Sequence, residues 1–162
     1  MTDPSSPSLT GPPVPAGGAW AGLQVPRSAW LTMAAHCLRA YPEEGCGLLV
    51  GVPGTGEVRR VVPTANVAAS ARVYTVDPRA HLRTERAAEA EGLAVVGVFH
   101  SHTHTEAYPS ATDVQQAPDP EWHYVLVSLR QELPTVRSYR IRQGEVVEEP
   151  VVVTEHVREP GR

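Results

Sequence analysis

The stretch LAVVGVFHSH occupies residues 93–102. Residues 93–99 are apolar or glycine without a break, and such a run is typical of a β-strand that is covered on both faces. Two polar residues, His100 and His102, lie at its end. We therefore predict a buried strand with polar chemistry at its C-terminal end.

Prolines, glycines and hydrophobic spacing divide the rest of the chain into short elements. Helices are predicted at about 26–40, 77–92 and 110–117. Further strands are predicted at 47–50, 58–62, 124–129, 136–141 and 146–153, the last two joined at Gln143-Gly144. Because the strands outnumber the helices and do not alternate strictly with them, we expect an α/β fold with a mixed sheet and flanking helices.

The composition is that of a single globular domain: 162 residues, 41% of them hydrophobic and 20% charged. Residues 1–22 are rich in proline, glycine and serine, and we expect a flexible leader there. The folded domain is expected at 23–154, followed by a disordered tail at 155–162.

The composition argues against several classes of protein. The net charge of −4 disfavours nucleic acid as a partner, and the apolar runs are too short for a membrane-spanning helix. All 14 basic residues are arginine, which excludes a lysine Schiff base. Since no signal peptide is recognisable, we expect a cytoplasmic protein in which Cys37 and Cys46 are free thiols.

Three of the seven histidines lie within residues 100–104. Side chains two residues apart on a strand share a face and lie about 6.6 Å apart at the backbone. His100 and His102 can therefore converge on one ion such as Zn²⁺, although pairs of surface histidines are common without a metal.

Asp113 follows His102 by eleven residues, at the start of a predicted helix. Its carboxylate would supply a third ligand and leave one position for water, as in catalytic zinc sites. Alternatively, Ser110 and Asp113 form a capping box at the helix N-terminus. The two arrangements are compatible, because a capped first turn would also fix the ligand.

A metal hydrolase also needs a base that accepts a proton from water. Glu43 and Glu44 lie between the first helix and the next strand. We interpret Glu43 as part of a solvated turn, whereas Glu44 lies closer to the apolar strand, where desolvation can tune its pKa. Cys46 is better explained as a small buried hydrophobe than as a nucleophile.

Together these polar positions resemble the signature of the JAMM (MPN+) zinc metalloproteases, which is Glu, then His-x-His, seven residues, Ser, two residues and Asp. The matching residues are Glu44, His100, His102, Ser110 and Asp113. The resemblance spans about residues 23–153 and is strongest to the small bacterial members. It implies the JAMM/MPN fold, which is cytidine-deaminase-like.

The resemblance also implies a role for each residue. His100, His102 and Asp113 would bind Zn²⁺, and Glu44 would be the general acid/base acting on a water at the fourth position. Ser110 would donate a hydrogen bond to the oxyanion of the tetrahedral intermediate.

The activity implied is that of a peptidase or isopeptidase that cleaves after the C-terminal Gly-Gly of a ubiquitin-like sulfur-carrier protein, including the release of an attached cysteine. One alternative is a non-catalytic MPN-type binding module, which would have no need for the complete set of polar residues. A less favoured alternative is a RadC-like DNA-repair protein, which the acidic charge balance disfavours. The sequence does not predict the oligomeric state.

One position departs from the family pattern, because Thr103 and His104 follow the second histidine where the family usually has proline. On an extended chain His104 would lie about 13 Å from His100, too far to share its ion. We interpret His104 as an exposed loop residue, with a further ligand or a substrate contact as the alternative.

Overall fold

The computed structural model describes residues 22–155. The described helices are α1 (Arg27–Ala40), α2 (Pro78–Ala90) and α3 (Ala111–Gln115). The described strands are β1 (Leu23–Pro26), β2 (Cys46–Gly51), β3 (Val58–Thr64), β4 (Ala94–His102), β5 (His123–Ser128), β6 (Thr135–Arg142), β7 (Glu145–Glu149) and β8 (Val151–Thr154). The predicted leader and tail lie outside the described residues, except for Gly22 and Glu155.

Six of the strands form one mixed sheet in the order β3-β2-β4-β5-β6-β7. Strands β4 and β5 are parallel, and the other neighbours in this sheet are antiparallel. Strands β1 and β8 pair in parallel as a separate two-stranded sheet. The predicted α/β class with a mixed sheet and flanking helices is confirmed.

Strand β4 is buried on both faces, as the apolar run predicts. On one face Phe99 belongs to a fully buried cluster that includes Met33 and Cys37 of α1. On the other face Val98 packs with Tyr124, and partly buried aromatic residues cover them. Helix α2 packs against β2 and β4. Alternation along β4 therefore turns His100 and His102 toward the face that carries Val98.

Strands β2 and β4 approach each other closely because Gly47 lies opposite Phe99. A Cβ atom at Gly47 would lie 2.4 Å from the Phe99 ring, far inside contact distance. Glycine at this position therefore leaves space for the Phe99 ring against β2.

A helix start and a hairpin turn occur where the local sequence predicts them. Asp77 caps α2 by accepting a hydrogen bond from the Arg79 amide at 2.9 Å, and the helix begins at Pro78. The turn between β6 and β7 is formed by Gln143 and Gly144, whose φ angles are 50° and 80°, as a tight two-residue hairpin turn requires.

The structure differs from the prediction at both ends of the described chain. Strand β1 was not predicted, and the single strand expected at 146–153 is divided into β7 and β8. Pro150 separates the two, since it has no amide hydrogen to continue a ladder, and its carbonyl accepts a hydrogen bond from Leu23 instead. The four-residue strand β1 has no local signal because its partner β8 lies at the far end of the sequence.

Some element boundaries also differ. Strand β4 continues through His102, three residues beyond the predicted end of the apolar run, and α3 is shorter than predicted. Among the described helices, none is long and apolar enough to cross a membrane.

Replacing Phe99 with alanine tests the core beneath the end of β4. We expect Phe99→Ala to lower the free energy of unfolding by about 3–5 kcal/mol, because it leaves a cavity in a fully buried cluster. Urea denaturation measures the change, and Leu133→Ala at a position that is 78% exposed should have almost no effect. A loss below 1 kcal/mol for Phe99→Ala would contradict this account of the core.

Candidate active site

Three potential metal ligands meet where β4 ends. The Nε2 atoms of His100 and His102 lie 3.3 Å apart. The Oδ2 atom of Asp113 lies 3.3 Å from the first of these nitrogens and 3.1 Å from the second. A metal ion can be held where several histidine, cysteine or acidic side chains bring their ligand atoms together. Among the described residues, His100, His102 and Asp113 form such a group.

The triangle of ligand atoms has the dimensions of a metal site. In tetrahedral coordination with metal–ligand distances of 2.0–2.1 Å, neighbouring ligand atoms are about 3.3 Å apart. The separations of 3.1 to 3.3 Å agree with this value. Two imidazoles and one carboxylate form a donor set that suits a divalent transition metal, so these residues fit the metal that the sequence implies.

Neighbouring groups fix the orientation of the two histidines. The Nδ1 atom of His102 lies 3.0 Å from the Glu106 carbonyl oxygen, and donation to this carbonyl leaves the Nε2 lone pair free for a ligand. The ring of His100 stacks on Tyr74, with centroids 4.1 Å apart and planes 17° from parallel. Both histidine side chains are nearly inaccessible to solvent.

The first turn of α3 fixes Asp113. The Ser110 amide donates to Asp113 Oδ2 at 2.8 Å, and the Asp113 amide donates to Ser110 Oγ at 3.1 Å. This reciprocal pair is the predicted capping box. The oxygen that receives the Ser110 amide is the one that faces the histidines, so capping and ligand geometry occur together.

Electrostatics favours the metal-binding protonation state at Asp113 and His100, whereas the pKa of His102 is raised by its hydrogen bonds with Asp113 and the Glu106 carbonyl despite burial. Burial alone would raise the pKa of Asp113, but hydrogen bonds with His100 and His102 and from the Ser110 amide outweigh it and hold the pKa well below its usual range. Burial lowers the pKa of His100 despite the nearby Asp113 carboxylate. An ionised carboxylate and a neutral imidazole are the forms that coordinate metal.

Glu44 lies beside this group, just before β2. Cys46 is paired with His100, and the Gly45 and Ser101 backbones are hydrogen bonded at 2.9 Å. Extending this antiparallel register by one residue places Glu44 opposite His102.

The Glu44 side chain is 3% exposed. Burial raises its pKa from 4.5 to about 7, with the charge of His102 lowering it and that of Asp113 raising it. Its Oε2 atom has no hydrogen-bond partner among the described residues. A carboxyl group with a pKa near neutrality is suited to accept and return a proton.

The backbone around Glu44 is held tightly. The Gly45 amide donates to the Ser101 hydroxyl at 2.8 Å. A Cβ atom on Gly45 would lie 2.9 Å from the Cα atom of Cys37 in α1, so glycine lets the segment pack directly on the helix. Ser101 has no signal in the sequence that points to this contact, because strand alternation only predicts that its side chain faces away from the two histidines.

The other candidates are not members of this ligand group. His104 is exposed, and its ring contacts Tyr41 and the Thr103 hydroxyl, in agreement with its interpretation as a loop residue. Glu43 is exposed. Cys46, like Cys37, is a buried free thiol, as expected.

The remaining described histidines have partners of their own. His36 contacts the Thr64 carbonyl, His81 pairs with Glu85, and His123 pairs with Glu149. His156 lies outside the described residues.

Solved structures share this fold. The solution structure of a protein from Desulfitobacterium hafniense superposes with a TM-score of 0.77, covering 83% of this chain and 94% of that chain at 33% identity. The crystal structure of a JAB1/MPN domain protein from Archaeoglobus fulgidus gives a TM-score of 0.50 over 80% of this chain and 99% of that chain, at 22% identity. The fold is therefore that of the JAB1/MPN domains.

The sequence defines the family within this fold. Residues 26–142 match the model of the prokaryotic homologues of the JAB domain, and the chain belongs to this family. It is 46% identical over 124 residues to a CysO-cysteine peptidase of Mycobacterium tuberculosis, covering 76% of this chain and 85% of that protein.

A probable TtuB-protein conjugate cleaving protease of Thermus thermophilus is 36% identical over 126 residues, covering 77% of this chain and 80% of that protein. The resemblance to the JAMM family is confirmed, and the chain is a JAMM-type peptidase.

The raised pKa of Glu44 predicts an effect on stability. Between pH 4.5 and about 7 the folded chain holds a proton that the unfolded chain releases, so the metal-free protein loses stability as the pH rises through this window. Glutamine stays neutral, and Glu44→Gln should therefore be more stable than the wild type at pH 8, by up to about 3 kcal/mol.

Urea denaturation of the metal-free proteins at pH 4 and pH 8 measures this difference. It should vanish at pH 4, where the carboxyl group is protonated in both states. Glu43→Gln, at the exposed neighbouring position, should show no such dependence. Equal stability of Glu44→Gln and wild type at pH 8 would contradict the burial of an ionised Glu44.

Proposed function

We propose that the protein is a zinc peptidase that hydrolyses the amide bond after the C-terminal Gly-Gly of a ubiquitin-like sulfur-carrier protein, including bonds to a single cysteine. The observation that supports this most directly is the triangle of His100, His102 and Asp113 ligand atoms with the buried Glu44 carboxyl group beside it. A binding module would gain nothing from such an arrangement, since each of these buried polar groups costs stability.

In this proposal His100, His102 and Asp113 hold Zn²⁺. When bound, zinc acts as a Lewis acid that polarises the scissile carbonyl and makes water available as a nucleophile near neutral pH. Glu44 accepts a proton from the attacking water and passes it to the leaving amine. Its pKa of about 7 lets one carboxyl group perform both transfers.

In this proposal Ser110 serves as a hydrogen-bond donor to the developing oxyanion. Its oxygen accepts a hydrogen bond from the Asp113 amide, and a hydroxyl used in this way still has its own proton to donate. A donor aimed at the developing negative charge contributes about 3 kcal/mol in comparable sites. The capping box would keep this hydroxyl in place before substrate arrives.

The surface next to the ligands offers room for an extended peptide tail. A cavity of about 400 Å³ adjoins Asp113 and is lined largely by apolar side chains, among them Leu48, Val76, Val98 and Trp122. Such a cavity suits the final residues of a carrier protein. The relatives named for CysO-cysteine and TtuB-protein conjugates support this class of substrate.

We place the reaction in the cytoplasm, because the free thiols Cys37 and Cys46 suit a reducing compartment.

Metal removal tests the ligand assignment. We expect about one Zn²⁺ per chain in protein purified without chelators, and loss of peptidase activity after dialysis against a chelator, restored by added Zn²⁺. His102→Ala should abolish stoichiometric binding, whereas His104→Ala should bind as the wild type does. Absence of zinc from the wild-type protein would favour a non-catalytic module, and metal analysis by mass spectrometry distinguishes the two.

Substitution of Glu44 tests the mechanism. With a sulfur-carrier fusion as substrate, Glu44→Gln should reduce kcat by at least about 100-fold, because glutamine cannot accept the proton, while zinc content stays at one ion per chain. Glu43→Gln is the matched control and should retain kcat within twofold. Turnover by Glu44→Gln equal to that of the wild type would refute the mechanism.

A further inference from the structure

We propose that Asn66 is a positioning residue that sets both the general acid/base Glu44 and the ring of Tyr74 against the metal centre. This inference rests on the proposed function, because it assigns Asn66 to a reaction in which Glu44 transfers protons. Asn66 touches neither substrate nor metal in this account and acts through the two residues that it holds.

The amide side chain of Asn66 is fully engaged. Its Nδ2 atom donates to the carbonyl oxygens of Glu44 and Val73, each at 3.0 Å, and lies 3.4 Å from that of Ser70. Its Oδ1 atom accepts from the amides of Ala68 at 3.1 Å and Thr75 at 2.9 Å. One side chain thus joins the segment before β2 to the loop of residues 66–76.

The Glu44 backbone is held from both ends by this loop. Its carbonyl accepts from Asn66, and its amide donates to the Ser70 carbonyl at 2.8 Å. The carboxyl group itself has an oxygen without a hydrogen-bond partner among the described residues. These two backbone contacts fix the point from which the Glu44 side chain extends, and Asn66 makes one of them.

The same amide fixes the residue that covers His100. Val73 and Thr75 flank Tyr74, and both are hydrogen bonded to Asn66. Tyr74 then stacks on the His100 ring. Asn66 follows the end of β3, where Thr64 is paired with Cys46 of β2. The backbone next to Asn66 is therefore fixed to the sheet.

Asparagine suits this position because it supplies two donor hydrogens and an acceptor oxygen in one plane. Alanine would leave two carbonyls and two amides without these partners. Aspartate would keep the acceptor side but direct a carboxylate oxygen at the Glu44 and Val73 carbonyls. Since catalytic groups have to be held within about 0.5 Å of their working geometry, either change should affect the chemical step more than substrate binding.

The first measurement is steady-state cleavage of the sulfur-carrier fusion by zinc-loaded Asn66→Ala. We expect kcat to fall at least tenfold, KM to change less than threefold, and zinc content to remain at one ion per chain. The control is Thr55→Ala, which removes a hydroxyl with two hydrogen bonds in the β2–β3 turn, at the opposite end of β2, and should retain wild-type kcat. If Asn66→Ala does not fold, Asn66→Asp replaces it, and wild-type kcat in that folded variant would overturn the proposal.

The decisive measurement compares the same change in two backgrounds under single-turnover conditions with enzyme in excess. The part of the effect that acts through Glu44 disappears in the Glu44→Gln background, whereas the part that acts through Tyr74 remains, so adding Asn66→Ala there should cost less than it costs in the wild-type background. A general structural role would instead cost the same tenfold in both backgrounds, and that result would overturn the inference. Failure of the proposed function has a different signature, namely full activity of Glu44→Gln itself.

Discussion

The register between β2 and β4 is the constraint on which the site depends. It places Cys46 opposite His100 and Gly47 opposite Phe99. A shift of one residue in β4 would turn both histidines toward α1 and move Phe99 out of the core. Gly47 favours the observed register, because it leaves free the space that the Phe99 ring occupies. Core packing and site geometry are therefore specified by the same pair of residues.

The site combines groups that a stable protein would avoid. A buried carboxyl group with an unsatisfied oxygen lies next to two buried histidines and a second carboxylate. The hydrogen bond between His102 and the Glu106 carbonyl, and the one that the Ser110 amide donates to Asp113, offset part of this cost. Glu44 has little such compensation. Side chains that lower the stability of the fold are expected where they are needed for catalysis.

The sequence was most informative where physical causes are local. The apolar run predicted β4, the Asp77-Pro78 pair predicted the start of α2, and the spacing of His100, His102 and Asp113 predicted side chains that do meet. Asn66 and Tyr74 escaped prediction, because their contacts join segments that are distant in sequence and follow no periodic pattern. Strand β1 escaped for the same reason, since its four residues acquire strand geometry only by pairing with β8.

The parallel pairing of β1 with β8 also has a consequence for how the chain folds. Leu23 and Val25 are buried in the cluster beneath α1, yet their strand partner follows every other described element in the sequence. During synthesis β1 remains unpaired until β8 has emerged from the ribosome. Contacts of such long sequence separation slow folding. The pairing of β1 with β8 is thus expected to form late, after the sheet that holds the metal ligands has assembled.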